Sequence, residues 1–434
     1  MNLFARLRER AERGRPVRAG LIGAGKFGSM FLSQVPTTLG LEVAAIADLS
    51  PDRARAACRA VGWTQERIEA TSFLEDGAAL AGRDDVEVVI DATGSPAAGV
   101  AHALAAIGAG KHVVMVNVEA DVLAGPALGA RARSAGVVYS MAYGDQPALV
   151  AEMVDWARAT GFRVQAAGKG TKYLPAYHGV TPDDVWTHYG LAPAEAAAAG
   201  LNSQMFNSFL DGTKSAIEMA AIANACALDV PAGGLAFPPC GVDDLAHVLR
   251  PRDEGGQMEG RGMVEVVSSL ERDGRPVFRD LRWGVYVVLE APNDYAAACF
   301  RQYGLKTDAS GRYASMYKPF HLIGLELGIS VLSAALRGEP TGQSAQFRGD
   351  AVAVAKRDLR AGEMLDGEGG YTVWGRALPA RASVAAGALP IGLAHRVRLV
   401  RAANAGSLLT YDDVETMPAS QVVAMRRETE AMAT

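Results

Sequence analysis

Between Val17 and about Tyr143, short apolar runs at 17–22, 42–47, 86–91, 112–116 and 137–140 alternate with Ala-rich segments of helical spacing. Strands that alternate in this way with helices predict a parallel sheet covered on both faces, a doubly wound α/β (Rossmann) unit. Past Gly144 the pattern changes. A helix is expected over 147–159 and a short strand over 163–167. The polar and aromatic segment 168–186 that follows is too long for an ordinary connection and reads as an active-site lid.

Residues 207–226 read as one helix, followed by a Pro/Gly-rich passage at 231–241. The runs 263–270 and 283–289 carry β-formers with charged turns between them and are expected to pair as antiparallel strands. Pro319 opens an apolar helix, 321–336, at the position where helices accept proline. After Gly338-Glu339-Pro340-Thr341-Gly342 the chain turns to short strand-like pieces, one leading at 351–363 into a charged turn and a pair at 392–400. The expected division is a Rossmann domain (1–160), an α+β middle domain (161–340) and a small β-rich C-terminal domain (341–434).

The first strand runs into Gly23-Ala24-Gly25-Lys26-Phe27-Gly28, and a carboxylate, Asp48, ends the next run 20 residues past the last glycine (48 − 28). Glycines at that spacing let the backbone turn tightly and bring amide N–H groups against a pyrophosphate at a helix N-terminus. Gly23, Gly25, Lys26, Phe27 and Gly28 are therefore the candidate cofactor cradle. Asp48 is placed to accept ribose hydroxyls, which slightly favours NAD, whereas Arg53 in the same turn can accommodate NADP. Thr93 and Gly94, after the run ending at Asp91, and Asn117, after the next run, share the same sheet edge and are expected near the nicotinamide; ordinary helix capping is the competing role.

Beyond the first domain, Lys169 and Lys172 in Gly168-Lys169-Gly170-Thr171-Lys172-Tyr173 can hold an anion or act as acid and base, against the alternative of solvated loop lysines. Asp211, Lys214 and Glu218 stand three, four and seven apart on the expected helix, so one face would carry all three charges. His321 opens the apolar helix, where the positive dipole end favours neutral imidazole. His178 and His188 lack partners at ligand spacing, so no metal is expected.

Composition narrows the classes. A net charge of -5 over 434 residues supplies no basic field for nucleic acid. The four cysteines, Cys58, Cys226, Cys240 and Cys299, form no Cys-x-x-Cys pair and read as buried thiols of a reducing compartment. The N-terminal segment is amphipathic without a signal pattern, and the most apolar stretch, 92–110, is broken by Pro96, His102 and glycines. A cytoplasmic protein without membrane or nucleic-acid partners is expected.

These residues together resemble the homoserine-dehydrogenase-like oxidoreductases that carry a C-terminal SAF-like domain, a group that includes the second type of 1-deoxy-D-xylulose 5-phosphate reductoisomerase. The likeness rests on the glycine turn, on Lys111-His112-Val113-Val114-Met115-Val116-Asn117-Val118-Glu119, Gly144-Asp145-Gln146-Pro147 and Gly168-Lys169-Gly170-Thr171-Lys172, and further on Asp211-Gly212-Thr213-Lys214 with Glu218-Met219, Pro319-Phe320-His321-Leu322 and Ala355-Lys356-Arg357-Asp358-Leu359. It implies hydride transfer with NAD or NADP on a small anionic substrate, in a cleft between the first two domains, with NADPH as the reductoisomerases' cofactor. Lys169 and Lys172 would bind the anion, and Lys214, steered by Asp211 or Glu218, would carry the proton. Oxidation of homoserine, and a nicotinamide-bound sensor without turnover, are the alternatives. The apolar helix and strands predict a homo-oligomer, a dimer in the first instance.

Overall fold

Six short strands line up in parallel at the start of the chain: β1 Val17–Ile22, β2 Leu41–Ala47, β3 Ser72–Leu74, β4 Val88–Asp91, β5 His112–Met115 and β6 Tyr139–Met141. They belong to a computed structural model that describes residues 2–433. Their order in the sheet is β3-β2-β1-β4-β5-β6, so the winding reverses between β1 and β4. The reversal opens a crevice at the carboxyl ends of those two strands, where ligands of open α/β sheets bind. Ile22 is level with Ala47 on one side and Asp91 on the other, which brings the loops after β1, β2 and β4 to one edge.

Both sheet faces are covered. One face buries Leu21, Ile46 and Ile90 against Phe31, Leu32 and Trp63, and the other buries Val89 and Val113 against Val100, Ala103 and Leu128. Two later segments complete these layers. The helix Gly328–Arg337 adds Val331 and Leu332 to the first cluster, and the helix Gln421–Glu430 adds Met425 to the second.

The chain divides into two compact units. The first holds residues 2–152, His321–Ala345 and Ala419–Met432, and the second holds Met153–Phe320, Gln346–Pro418 and Ala433. The helix expected from 321 starts only at Gly328, because Tyr313–Lys318 is a strand and the chain then turns at Gly324 (φ +74°). A Cβ at Gly324 would stand 2.6 Å from Met30 Cβ, so that turn needs glycine to lie against the first unit.

The second unit is built on a four-stranded sheet, β7 Arg163–Thr171, β8 Met263–Ser268, β9 Val285–Glu290 and β10 Tyr313–Lys318, in the order β10-β9-β7-β8. β8 and β9 do not pair with each other as the alternation predicts. β7 lies between them, parallel to β8 and antiparallel to β9. Two glycines make that possible: a Cβ on Gly168 would fall 1.9 Å from Glu265 O, and one on Gly170 would fall 1.9 Å from Leu281 O. The same glycines correct the expected lid. Residues 168–171 are the end of this buried strand; beyond it Tyr173 is buried against Phe237, and Tyr177, Val180, Val185 and Trp186 are buried around Leu210. Aromatic side chains at that density cover each other rather than swing over a solvent-facing cleft.

The remaining strands pair as β11 Gly349–Ala355 with β13 Val373–Pro379 and β12 Met364–Asp366 with β14 His395–Arg398, all antiparallel. The helix expected over 207–226 is two, Ser203–Leu210 and Thr213–Cys226, broken at Gly212 (φ +91°). The second of them packs on β8, β11 and β13. No helix among the described residues is long and apolar enough to cross a membrane.

Because the Gly168 Cβ would meet backbone rather than a flexible side chain, Gly168→Ala must separate β7 from β8. We expect it to cost ~3 kcal/mol or to prevent folding, as overpacked cores do. Urea unfolding followed by circular dichroism checks this; a variant with an unchanged midpoint refutes the strand contact.

Candidate functional site

At the end of β1 the three glycines are held for three different reasons. Gly23 turns the chain with φ +96°, and a Cβ there would lie 2.8 Å from Ala92 O. Gly28 sits in the first turn of the helix Lys26–Gln34, and its Cβ would lie 2.4 Å from Gly23 O, so only a hydrogen lets the helix settle on the strand. Gly25 has an ordinary φ of -73°, and a Cβ there would meet no atom within 4 Å. The protein itself requires Gly23 and Gly28. The space at Gly25, with a helix N-terminus that no side chain caps, fits a diphosphate approaching bare backbone N–H groups. Lys26 beside it is exposed, whereas Phe27 packs against the core.

Asp48 is buried at this edge and ties it together. Its Oδ2 accepts the Ala24 N–H at 3.0 Å, and its Oδ1 accepts the Ser50 N–H at 3.0 Å and Arg53 Nη2 at 2.7 Å. Burial opposes the charge, but the bonds from Ser50, Ala24 and Arg53 outweigh it and hold the carboxyl below its usual range. On the next loops, Asn117 caps the helix Val118–Ser134 by accepting the Ala120 N–H, and its Nδ2 donates to Ser95 O at 2.9 Å and to Thr93 Oγ1 at 3.4 Å. Thr93 Oγ1 donates in turn to Asp91, whose other oxygen meets His102 Nδ1 at 2.6 Å. Gly94 is exposed, with nothing within 4 Å of a Cβ. Asn117 is thus both cap and strut between two loops of the cofactor edge.

In the second unit the candidate charges separate into two buried pairs. Lys169, on β7, forms an ion pair with Glu218 of the helix Thr213–Cys226. The other pair was not visible from spacing: Asp211 meets Lys356 of the segment after β11, at 2.8 Å. Lys356 also donates to Val180 O and Gly370 O, both at 2.8 Å, so two hydrogen bonds anchor it beside the carboxylate. Among the described residues Lys169 has Glu218 as its one partner, although its side chain is just 6% exposed. A buried ammonium with two unused donors is a place where an incoming oxygen gains hydrogen bonds.

The expectation of one helical face carrying Asp211, Lys214 and Glu218 is corrected. Asp211 precedes the helix, and its Oδ1 accepts the Thr213 N–H at the helix start. Lys214 stands one turn from Glu218 on the same helix, but Glu218 is turned to Lys169. Lys172 donates to His188 O beside the Tyr189 ring, and burial, then the Arg282 charge, lower its pKa. His321 does not start a helix; it lies in the first unit with Nε2 3.2 Å from Gln146 Nε2. The three buried thiols, Cys58, Cys226 and Cys240, are pushed up to about 11, about 12 and about 12 by burial and are no nucleophiles.

Glu265 escaped the sequence altogether. It is buried on β8, accepts the N–H groups of Ala236, Phe237 and Val266, and so pins Phe237 in a left-handed conformation, φ +50°. Burial outweighs those bonds and pushes its carboxyl up to about 7.

Residues 17–143 match the NAD-binding Rossmann fold of the GFO/IDH/MocA oxidoreductase family, and residues 144–327 match the catalytic domain of the oxidoreductase DRL. The two segments are thus similar to an NAD-binding Rossmann domain of the GFO/IDH/MocA type and to a DRL catalytic domain, each over less than half of the chain. They do not single out homoserine dehydrogenases or reductoisomerases, nor do they match an SAF-like domain. Solved structures similar to this chain include a myo-inositol dehydrogenase from Lactobacillus casei in complex with NAD(H) and myo-inositol (18% identity, 40% of this chain and 50% of that one, TM-score 0.30). Others are the 3-ketoreductase KijD10 from Actinomadura kijaniata with NADP (25%, 36% and 49%, TM-score 0.25) and an oxidoreductase domain protein from Kribbella flavida (22%, 36% and 43%, TM-score 0.28). The chain spans half or less of each of those proteins, and at such TM-scores they say nothing about its chemistry. No curated protein matches the chain.

Two outcomes follow from this geometry. Gly25→Ala should leave the melting temperature of the protein unchanged and weaken NAD(P)H binding at least about tenfold, since the added Cβ meets no protein atom within 4 Å and stands where the diphosphate would approach. Fluorescence titration of bound NAD(P)H is the check, and unchanged affinity refutes the cradle. Glu265 has a folded-state pKa above its usual 4.5, so the folded state holds the proton more tightly and stability falls as the pH rises from 4.5 to about 7. Asp121 of the first unit, raised to about 6 by burial, adds a slope of the same sign. Glu265→Gln should flatten the melting-temperature profile over that range but leave the Asp121 part; an identical profile refutes the assignment.

Proposed function

We propose that the protein transfers a hydride between the nicotinamide of NAD(P) and the hydroxyl or carbonyl carbon of a small anionic substrate, with Lys169 and Glu218 handling the proton. The cofactor, bound at the Gly23–Gly28 turn, supplies or takes the hydride. The single observation that carries the reading is the buried Lys169–Glu218 pair, within the segment that matches the catalytic domain.

Removing two charges from water costs several kcal/mol per ion, and a pair held with few hydrogen bonds recovers little of it. Lys356–Asp211, with two hydrogen bonds anchoring the ammonium, is a structural clamp. Lys169–Glu218 lacks that satisfaction, which supports a site where Lys169 donates to a substrate oxygen and Glu218 keeps the ammonium oriented. Lys172 would attract the anionic group. Asp48 has three of its roughly four lone-pair sites filled by the protein, which leaves one for a ribose hydroxyl and supports NAD unless Arg53 moves aside. On the sequence resemblance, the finer proposal is rearrangement and reduction of a sugar phosphate.

Lys169→Met should lower kcat/KM by about 100-fold or more, the range of a lost proton-transfer group, while NAD(P)H binding persists. Since breaking a buried pair costs ~3–5 kcal/mol, the Lys169→Met/Glu218→Leu double variant restores an uncharged core and separates lost chemistry from lost folding. Oxidation of NADH and NADPH is followed with 1-deoxy-D-xylulose 5-phosphate and aspartate semialdehyde, and the reverse reaction with homoserine. A folded double variant that retains turnover sinks the role of the pair, and turnover of the amino-acid substrates alone sinks the sugar-phosphate reading.

A further inference from the structure

The second unit contains a cavity of about 250 Å³ whose wall includes five glycines, with His178, Phe237, Trp374 and Arg376 as its aromatic and charged side chains. That volume lies below the roughly 300–1,000 Å³ of pockets for drug-sized molecules, so it suits a small metabolite. No carboxylate lines it.

The wall is rigid for identifiable reasons. His178 donates from Nδ1 to Asp211 O at 2.6 Å, accepts Tyr173 OH on Nε2 at 3.0 Å, and stacks on Trp374 at 3.7 Å between ring centroids. Burial lowers the pKa of this imidazole; the Asp211 hydrogen bond and charge oppose the shift, and the charges of Lys356 and Arg376 add to it. Phe237 stacks on Tyr173 at 3.9 Å and is held by the Glu265 bonds described above.

β13 supplies the chemistry. Trp374 and Arg376 are two apart and so share a face of the strand, and both are half-buried. Gly375, between them, points the other way, where its N–H donates to Thr213 Oγ1 at 2.8 Å and a Cβ would crowd Thr213 at 2.9 Å. One face of the strand is therefore packed on the helix Thr213–Cys226, and the other presents an indole and a guanidinium to the cavity. Arg376 uses one of its five N–H donors, Nη2 to Gly233 O at 2.7 Å, and forms no ion pair with any described residue. A planar cation with open donors, in a wall otherwise neutral and partly shielded from water, is a strong anion receptor.

We propose that this cavity binds a small organic anion, a carboxylate or a phosphate ester, with its charged group on Arg376 and its apolar body against Trp374 and Phe237. Trp374 and Arg376 lie beyond the segments 17–143 and 144–327 that the family models match, whereas His178 and Phe237 lie within the second of them. The inference does not rest on hydride transfer. It concerns binding alone.

Isothermal titration of the full-length protein without nucleotide tests it, with phenyl phosphate, benzoate, inorganic phosphate and benzyl alcohol as probes. At least one of the two organic anions is expected to bind with Kd below about 1 mM, and the tighter of the two identifies the head group. Inorganic phosphate and benzyl alcohol, which each offer half of the ligand, should bind at least about tenfold more weakly. Arg376→Gln and Trp374→Leu should each weaken the organic anion at least about tenfold, while melting temperature and NAD(P)H affinity, read in the first unit, stay as in the parent. The proposal is overturned if neither organic anion binds below about 10 mM, if benzyl alcohol binds as tightly, or if Arg376→Gln, still folded, binds as the parent does.

Discussion

Backbone brought against backbone is the constraint on which both units rest, and it is met by leaving out a Cβ. In the first unit the helix after β1 reaches the strand because Gly28 presents only hydrogen to Gly23 O, where a Cβ would stand at 2.4 Å. In the second, β7 can lie between β8 and β9 because Gly168 and Gly170 accept carbonyls that a Cβ would meet at 1.9 Å. The two cases differ in what the proximity is for. At the dinucleotide edge it leaves Gly25 open to a ligand, whereas in β7 it places Lys169 in the middle of a buried sheet.

That placement makes the treatment of charge the second theme. Two lysines are buried in one unit, and each has a carboxylate, but they are not equivalent. Lys356 is anchored by Asp211, Val180 O and Gly370 O, so removing it would leave Asp211 without its countercharge and take a donor from each of two carbonyls. Among the described residues Lys169 has Glu218 alone. Arg376, the third cation set apart by its surroundings, has one carbonyl and no carboxylate. A gradation from well-satisfied to nearly unsatisfied cations separates Lys356, a structural clamp, from the two cations proposed to meet a ligand.

The glycine turn, Asp48 and the parallel sheet were legible because their signals are local. A strand, a tight turn, a helix start and a carboxylate at the end of the next strand all fall within a short stretch, and the sterics of glycine dictate what the stretch can do. The glycine turn accordingly lies at the sheet edge where the pattern put it. The lid at 168–186, the pairing of β8 with β9 and the three-charge helix face failed for one common reason. Each inferred a spatial neighbour from sequence proximity, and in each case the neighbour is remote: Glu265 for Gly168, Lys356 for Asp211, Lys169 for Glu218. His178 looked inert as a metal ligand, and its actual partners, Trp374 and the Asp211 carbonyl, carry no spacing signal.

The sequence by itself determined the winding of the first sheet and the dinucleotide turn, since backbone sterics and hydrophobic periodicity act over a few residues. Tertiary structure alone decided which lysine is clamped and which is left with open donors, and that Trp374 and Arg376 share a cavity wall with His178. Those outcomes depend on desolvation and on hydrogen bonds between segments far apart in the chain, and burial, unlike periodicity, exists only once the whole chain has packed.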